Sequence, residues 1–393
     1  MSHRAPLAVL TAMILGGSLL LAPVLAAPRV LPQPPPASGA APAAVDPALK
    51  QAGHPGRQPV IVLLRPSRPD RTALGRSATD AARGRSAFIH RAGPLLSFLG
   101  EETAAGRAGP SRALWSVDGI AVDVSDATLR ALAQRPEVRA VIADGKLRLE
   151  PSSAPQPAAR ILGVATDPLQ WNLRLIKVDE ARRLLGVDGS GVTVAVVDSG
   201  VDYHHPLLQP SYRGTQPGGS PRHARNWWCN RIIDAFCGLG DTYPVDSVGH
   251  GSHVLGTIVA PAGIGVAPGA RWIAARACQV DGCPLSWMVA ALEWVVDLGE
   301  DRPDIVNLSL GTDAPLEIGV YQQAVNRIVE AGIFVVAAMG NNPDSLLAPA
   351  TFTSTLGVGA VTADGAVWNR SARGISTWQE TKPDLVAPGV GIT

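Results

Sequence analysis

With 393 residues, 46% of them hydrophobic and 17% charged, the chain is long enough for two or three domains and apolar enough to bury a large core. A formal net charge of +1, with the arginines scattered, sets aside nucleic acid and acidic surfaces as partners.

The chain opens with Arg4, an apolar stretch, and small residues at Val24 and Ala26, the pattern of a signal peptide spanning residues 1–26. Gly16, Gly17, Ser18 and Pro23 interrupt the stretch, which is short for a membrane span, so the expected destination is outside the cell. Residues 27–58 are rich in Pro and Ala and read as a linker. Pro59–Leu64 (PVIVLL) is strand-like, a helical region follows, and Ala113–Val124 predicts further strand. Ser125 or Asp126 can cap a helix through Leu129 and Leu132 that stops before Pro136. Two alternating stretches, VRAVI from Val138 and KLRLE from Lys146, close a small α+β unit over residues 59–150. Residues 151–170, Pro- and Ala-rich at their start, predict an exposed junction open to proteolysis.

Residues 171–393 follow a different pattern. Short apolar runs, TVAVV (Thr193–Val197), WIAARA (Trp272–Ala277), DIVNLSL (Asp304–Leu310) and IFVVAA (Ile333–Ala338), alternate with helical stretches such as Ser286–Leu298 and Ile318–Glu330. That alternation predicts an α/β fold whose parallel sheet is covered by helices on both faces. Chemistry in such a sheet collects at the carboxyl ends of its strands.

Three residues there have chemical potential. Asp198 ends the strand TVAVV, where Asp-Ser-Gly is equally ordinary turn vocabulary. His250 and His253 lie in GHGSHVLGT at the expected start of a helix. As a metal pair they lack a third ligand and the adjacent glutamate of metalloproteases, which makes that the weakest reading. As a base, His250 gains from Asp198, since a carboxylate on one ring nitrogen leaves the other able to take a proton. Asn341 ends IFVVAA through Met339 and Gly340; it is either part of a Gly-Asn-Asn turn or an amide donor to an oxyanion.

Four cysteines in an exported protein favour disulfides over a zinc site. Cys229 with Cys237, and Cys278 with Cys283, would each close a short loop, although three connectivities exist.

The ordered set VAVVDSGVDYHHP, GHGSHVLGT, DIVNLSLG, VVAAMGN and KPDLVAPG resembles the catalytic domain of the subtilisin-like serine peptidases. The resemblance covers roughly Trp171 to Thr393. Residues 59–150 are similar, more loosely, to that family's ferredoxin-like inhibitory propeptide. It implies a secreted precursor acting on protein or peptide substrates, with its own propeptide as intramolecular inhibitor, as a monomer. Asp198 would orient the base, His250 would be the general base and Asn341 the oxyanion donor, while His253 would pack beside the base. Ser309, Leu310 and Gly311 would pair with an extended substrate; Ala338, Met339 and Gly340 would wall the pocket before the scissile bond. No cofactor is needed for the chemistry, and a structural calcium ion is compatible with the family, although Leu207 replaces a common calcium-binding Asp.

Two further departures concern the site. Met339 stands where a smaller residue is common, and a long insertion before His250 carries Trp227, Trp228, Cys229 and Cys237, suited to a cleft-rim loop or to aromatics stapled by a disulfide. The family's reactive serine lies in a Gly-Thr-Ser motif downstream of the stretch resembling KPDLVAPGVGIT, and Ser371 and Ser376 lack that context. The expectation is a piece of a longer gene product, nearly inactive as it stands; the other reading is a secreted binding or inhibitory module without a nucleophile.

Overall fold

The computed structural model describes residues 43–50, 56–66, 78–149, 169–216, 218–230, 237 and 243–392. The signal-peptide stretch and most of the 151–170 junction lie outside the described residues.

The chain first builds a five-stranded sheet. Its elements are β1 (Ala44–Val45), α1 (Pro47–Lys50), β2 (Gln58–Leu64), α2 (Ala78–Ala104), β3 (Arg112–Leu114), β4 (Gly119–Val124), α3 (Asp126–Ala133) and β5 (Val138–Ala143). The strand order is β1-β5-β2-β4-β3. Without β1, that is the order of the ferredoxin-like split βαβ unit. The unbroken run of β2 suits its central place, with Val60, Ile61 and Val62 fully buried. On α2, Phe88, Ala92, Leu95 and Leu99 recur at helical spacing and are all buried. Ser125 caps α3 by accepting from the Thr128 amide at 3.3 Å.

Two expectations need correction here. The 27–58 linker contains ordered structure: β1 pairs in parallel with the edge of β5, and Leu49 of α1 is buried. Edge pairing is made by backbone, so a Pro- and Ala-rich composition does not reveal it. Nor is Ala113–Val124 one strand, because a single 3₁₀ turn over Trp115–Val117 divides it and buries both Trp115 and Val117.

The next strand, β6 (Lys146–Leu149), leaves this sheet. It runs between β10 (Cys283–Pro284) and β12 (Leu310–Gly311), antiparallel to both.

After two short helices, α4 (Trp171–Leu175) and α5 (Val178–Leu185), the larger sheet has seven strands, all parallel. They are β7 (Thr193–Asp198), β8 (Trp227–Cys229), β9 (Arg271–Arg276), β11 (Ile305–Leu308), β13 (Phe334–Ala338), β14 (Leu356–Val361) and β17 (Leu385–Pro388). Their order is β17-β14-β13-β11-β7-β9-β8, and β15 (Gly374–Ile375) and β16 (Thr381–Lys382) form a separate antiparallel pair. Among the described residues, the remaining α-helices are α6 (His250–Val259), α7 (Leu285–Asp297) and α8 (Pro315–Glu330). Within the insertion, Trp227 and Trp228 lie in the edge strand beside β9. Cys229–Cys237 and Cys278–Cys283 are the two disulfides.

Helix α7 is apolar nearly all round because it is covered twice, by the large sheet and by α2 and the 3₁₀ turn of the smaller unit. This puts Glu293 in an apolar contact, accepting from the Ser116 amide at 2.7 Å. Burial pushes its carboxyl up to about 7, Ser116 and Arg112 pull the other way, and Asp297 adds to the rise. Asp144 similarly accepts from the Ser286 amide (2.8 Å) and hydroxyl (2.5 Å) at the start of α7. Burial raises its carboxyl to about 6, with Ser286 opposing and Asp123 and Glu317 assisting. Both carboxyls are raised, so the assembled chain holds protons that the opened chain releases. Their contribution to stability is fully present below the ordinary carboxylate range and is lost as pH rises through about 6 and about 7. Glu293→Gln should therefore raise the denaturant midpoint at pH 8 and leave it nearly unchanged at pH 5. An equal shift at both values would reject a buried, titrating Glu293.

Candidate active site

Strands β7, β11 and β13 are neighbours in register, with Val196, Asn307 and Val336 in one row. Two residues further, the row reaches Asp198, Ser309 and Ala338 at the carboxyl edge of the sheet, the place where such sheets ordinarily collect their chemistry.

Asp198 is fully buried and His250 nearly so. His250 Nδ1 lies 2.7 Å from Asp198 Oδ1. An ionised carboxylate only accepts, so the ring proton belongs on Nδ1, and the basic lone pair then belongs to Nε2. Asp198 Oδ1 also accepts from the Ser199 amide at 2.7 Å, and the Asp198 carbonyl accepts from the amides of Ala277 (2.8 Å) and Cys278 (3.1 Å). The disulfide-closed turn from Cys278 to Cys283 therefore braces the backbone of the carboxylate.

Three residues that the sequence reading passed over hold this pair. Asp246 serves the first turn of α6: its Oδ1 accepts from the amides of Val248 (3.0 Å) and Gly249 (2.8 Å), and its Oδ2 from the Ser252 amide (2.9 Å) and hydroxyl (2.8 Å). Gly249, the residue before the helix, has φ of +87° and no side chain to do this. Ser199 links the two halves, donating its hydroxyl to Asp246 (2.9 Å) and accepting from the Gly251 amide (3.0 Å). Arg276, buried at the end of β9, donates to the Ser199 carbonyl at 2.8 Å. An Asp shortly before a Gly-His helix start is the one sequence signal that could have exposed this arrangement.

Backbone contact at Gly251 is close. A β-carbon there would lie 2.0 Å from the Gly200 carbonyl oxygen and 3.2 Å from Asp198 Cβ. Gly251→Ala should push α6 off β7, lowering turnover of the active enzyme by about 100-fold, the usual result of an ångström-scale misplacement. Turnover within threefold of the parent would show that the helix accommodates the methyl group.

His253 departs from expectation. It is exposed rather than packed, with Nε2 3.2 Å from the Ile392 carbonyl. Among the described residues no group of three or more His, Cys, Asp or Glu is placed to hold a metal ion. Gly340, with φ of +100°, turns the chain after β13, and Asn341 follows with its carbonyl 3.4 Å from Arg370 Nε. Met339 is buried in the core. Leu310 and Gly311 form β12 and pair with β6, and Ser309 joins β11 to β12, its hydroxyl accepting from Asn307 Nδ2 at 2.9 Å. Ser371 and Ser376 are buried: the Ser371 hydroxyl accepts from the Ala360 amide, and Ser376 accepts from those of Trp378 and Glu380.

A seven-stranded parallel sheet, flanked by helices and carrying a buried Asp–His pair at its carboxyl edge, defines a subtilisin-like α/β fold. The model of the subtilase family (Peptidase_S8) matches residues 189–392, and the chain belongs to that family. It is 35% identical over 322 residues to Bacillopeptidase F of Bacillus subtilis, covering 76% of this chain and 22% of that protein. To subtilisin E of the same organism it is 31% identical over 258 residues, 63% of this chain and 59% of the relative. The chain thus spans less than two thirds of each of these relatives. Among solved structures, the epidermin leader peptide processing serine protease (EpiP) of Staphylococcus aureus shares the fold, with a TM-score of 0.57, 16% identity, and coverage of 84% of this chain and 74% of that one.

Proposed function

We propose that this chain belongs to a secreted serine endopeptidase precursor. The observation that carries the reading is the buried 2.7 Å contact between His250 Nδ1 and Asp198 at the carboxyl edge of the sheet. Asp198 fixes the ring and stabilises the imidazolium; His250 takes the proton of the attacking hydroxyl at Nε2 and returns it to the leaving amine. Asn341 donates its amide to the developing oxyanion.

The nucleophile is a serine carried on a helix beyond Thr393. Ser371 and Ser376 are engaged by backbone amides, so neither hydroxyl suits the role.

Residues 59–150 are the propeptide. Their last described strand, β6, fills the space between β10 and β12 in the manner of a peptide adding to a sheet edge. Cleavage within 151–170 releases the cleft, and residues 1–26 direct export. The substrates are proteins or peptides, the enzyme acts as a monomer, and any calcium is structural.

Sequencing the gene past the codon for Thr393 and assaying its whole product on a denatured protein tests the reading. A Gly-Thr-Ser within a few tens of residues together with hydrolysis supports it. A frame that closes without such a serine, or a product with no hydrolytic activity, removes it in favour of a binding module.

A further inference from the structure

Backbone pairing holds β6 between β10 and β12 but cannot choose a sequence, so any choice must lie in the side chains. Along β6 those side chains alternate. Leu147 is fully buried among the core, while Lys146 and Arg148 point to the rim. Each meets an acid on a different wall of the cleft. Lys146 Nζ pairs with Asp281, and Arg148 Nη2 lies 2.9 and 3.1 Å from the two carboxylate oxygens of Asp313.

Both acids are held in place. Asp281 sits in the turn closed by Cys278–Cys283, where Gln279 and Gly282 bridge. Asp313 accepts the Ser345 hydroxyl at 2.6 Å, and that bond, with Arg148, holds its carboxyl below the ordinary range. The two walls therefore present fixed negative charges two substrate positions apart, over an apolar floor.

Resting on the peptidase reading above, we infer that Asp281 and Asp313 are specificity-determining residues. They direct the cleft to extended peptides in which basic and apolar side chains alternate, as in the Lys-Leu-Arg-Leu of β6. The strand that fills the cleft in the precursor has the pattern of the substrates that later replace it.

Exposed ion pairs contribute about 1.5- to 5-fold each, so the two together should give roughly a 2- to 25-fold preference at low salt, fading as salt screens them. The test has two parts. With the active product of the whole gene, kcat/KM is compared for peptides differing only as Lys-Leu-Arg-Leu against Gln-Leu-Gln-Leu. The expected ratio is roughly 2 to 25 at low salt, collapsing toward one in Asp281→Asn/Asp313→Asn. A ratio near one in the parent, or one that survives the double substitution, overturns the inference. In the intact chain, which needs no activity, amide exchange at Leu147–Leu149 is followed instead. Lys146→Gln/Arg148→Gln and Asp281→Asn/Asp313→Asn should each speed it several-fold, and combining them should add little. Exchange unmoved by either pair overturns the rim. Absence of hydrolysis alongside the expected exchange would overturn only the peptidase reading.

Discussion

Replacing His250 by Ala in the product of the whole gene is expected to lower kcat by about 10⁶, a magnitude measured on subtilisin and carried here by family membership. The reason lies in the pair. Asp198 is fully buried and accepts from His250 and from the Ser199 amide. Removing the ring takes away the group that accepts the nucleophile's proton and leaves a buried carboxylate short of its partner. Stability should fall as well, by about 3 to 5 kcal/mol, as when one member of a buried pair is deleted. Turnover is therefore measured well below the variant's melting temperature, with circular dichroism confirming the fold. Adding Asp198→Ala should cost little further rate, because the two residues act as a unit. A folded His250→Ala protein within tenfold of the parent would remove His250 from the chemistry.

Asn341→Ala should produce the next largest loss, about 10²- to 10³-fold in kcat with KM little changed. Asn341 follows β13 at the same sheet edge as Asp198, after a left-handed turn at Gly340. A β-carbon at Gly340 would meet the side chain of Leu347 at 2.8 Å, so the turn is held by packing and Asn341 occupies a fixed position. An amide that stabilises charge only in the transition state lowers kcat when it is lost, whereas one that binds the ground state raises KM. Steady-state kinetics on a peptide ester separate the two. Equal effects on kcat and KM would assign Asn341 to substrate binding.

Much of the fold is legible in the sequence because local signals agree with tertiary ones. TVAVV is an unbroken apolar run and becomes a central strand; Ser125 caps α3 as its hydroxyl predicts. The pairing of Asp198 with His250 could be expected from their positions at a strand end and a helix start, 52 residues apart. What escapes the sequence is made by backbone. The edge strand β1 and the insertion of β6 between two distant strands depend on which edges lie open, and no side-chain pattern records that. Asp246 escaped for a related reason. Its carboxylate serves main-chain amides of the next few residues, and alone in the chain it reads as a loop acid. His253 resembles His250 in sequence but is exposed on α6, so the spelling of the motif does not show which histidine is buried against Asp198.

The most direct measurement of the central claim is covalent labelling of the whole gene product with diisopropyl fluorophosphate, followed by peptide mass spectrometry. A single labelled serine beyond Thr393, with labelling abolished in the His250→Ala protein, is the result expected. No labelled serine, or labelling that proceeds at the parent rate without His250, would contradict a nucleophile activated by the Asp198–His250 pair.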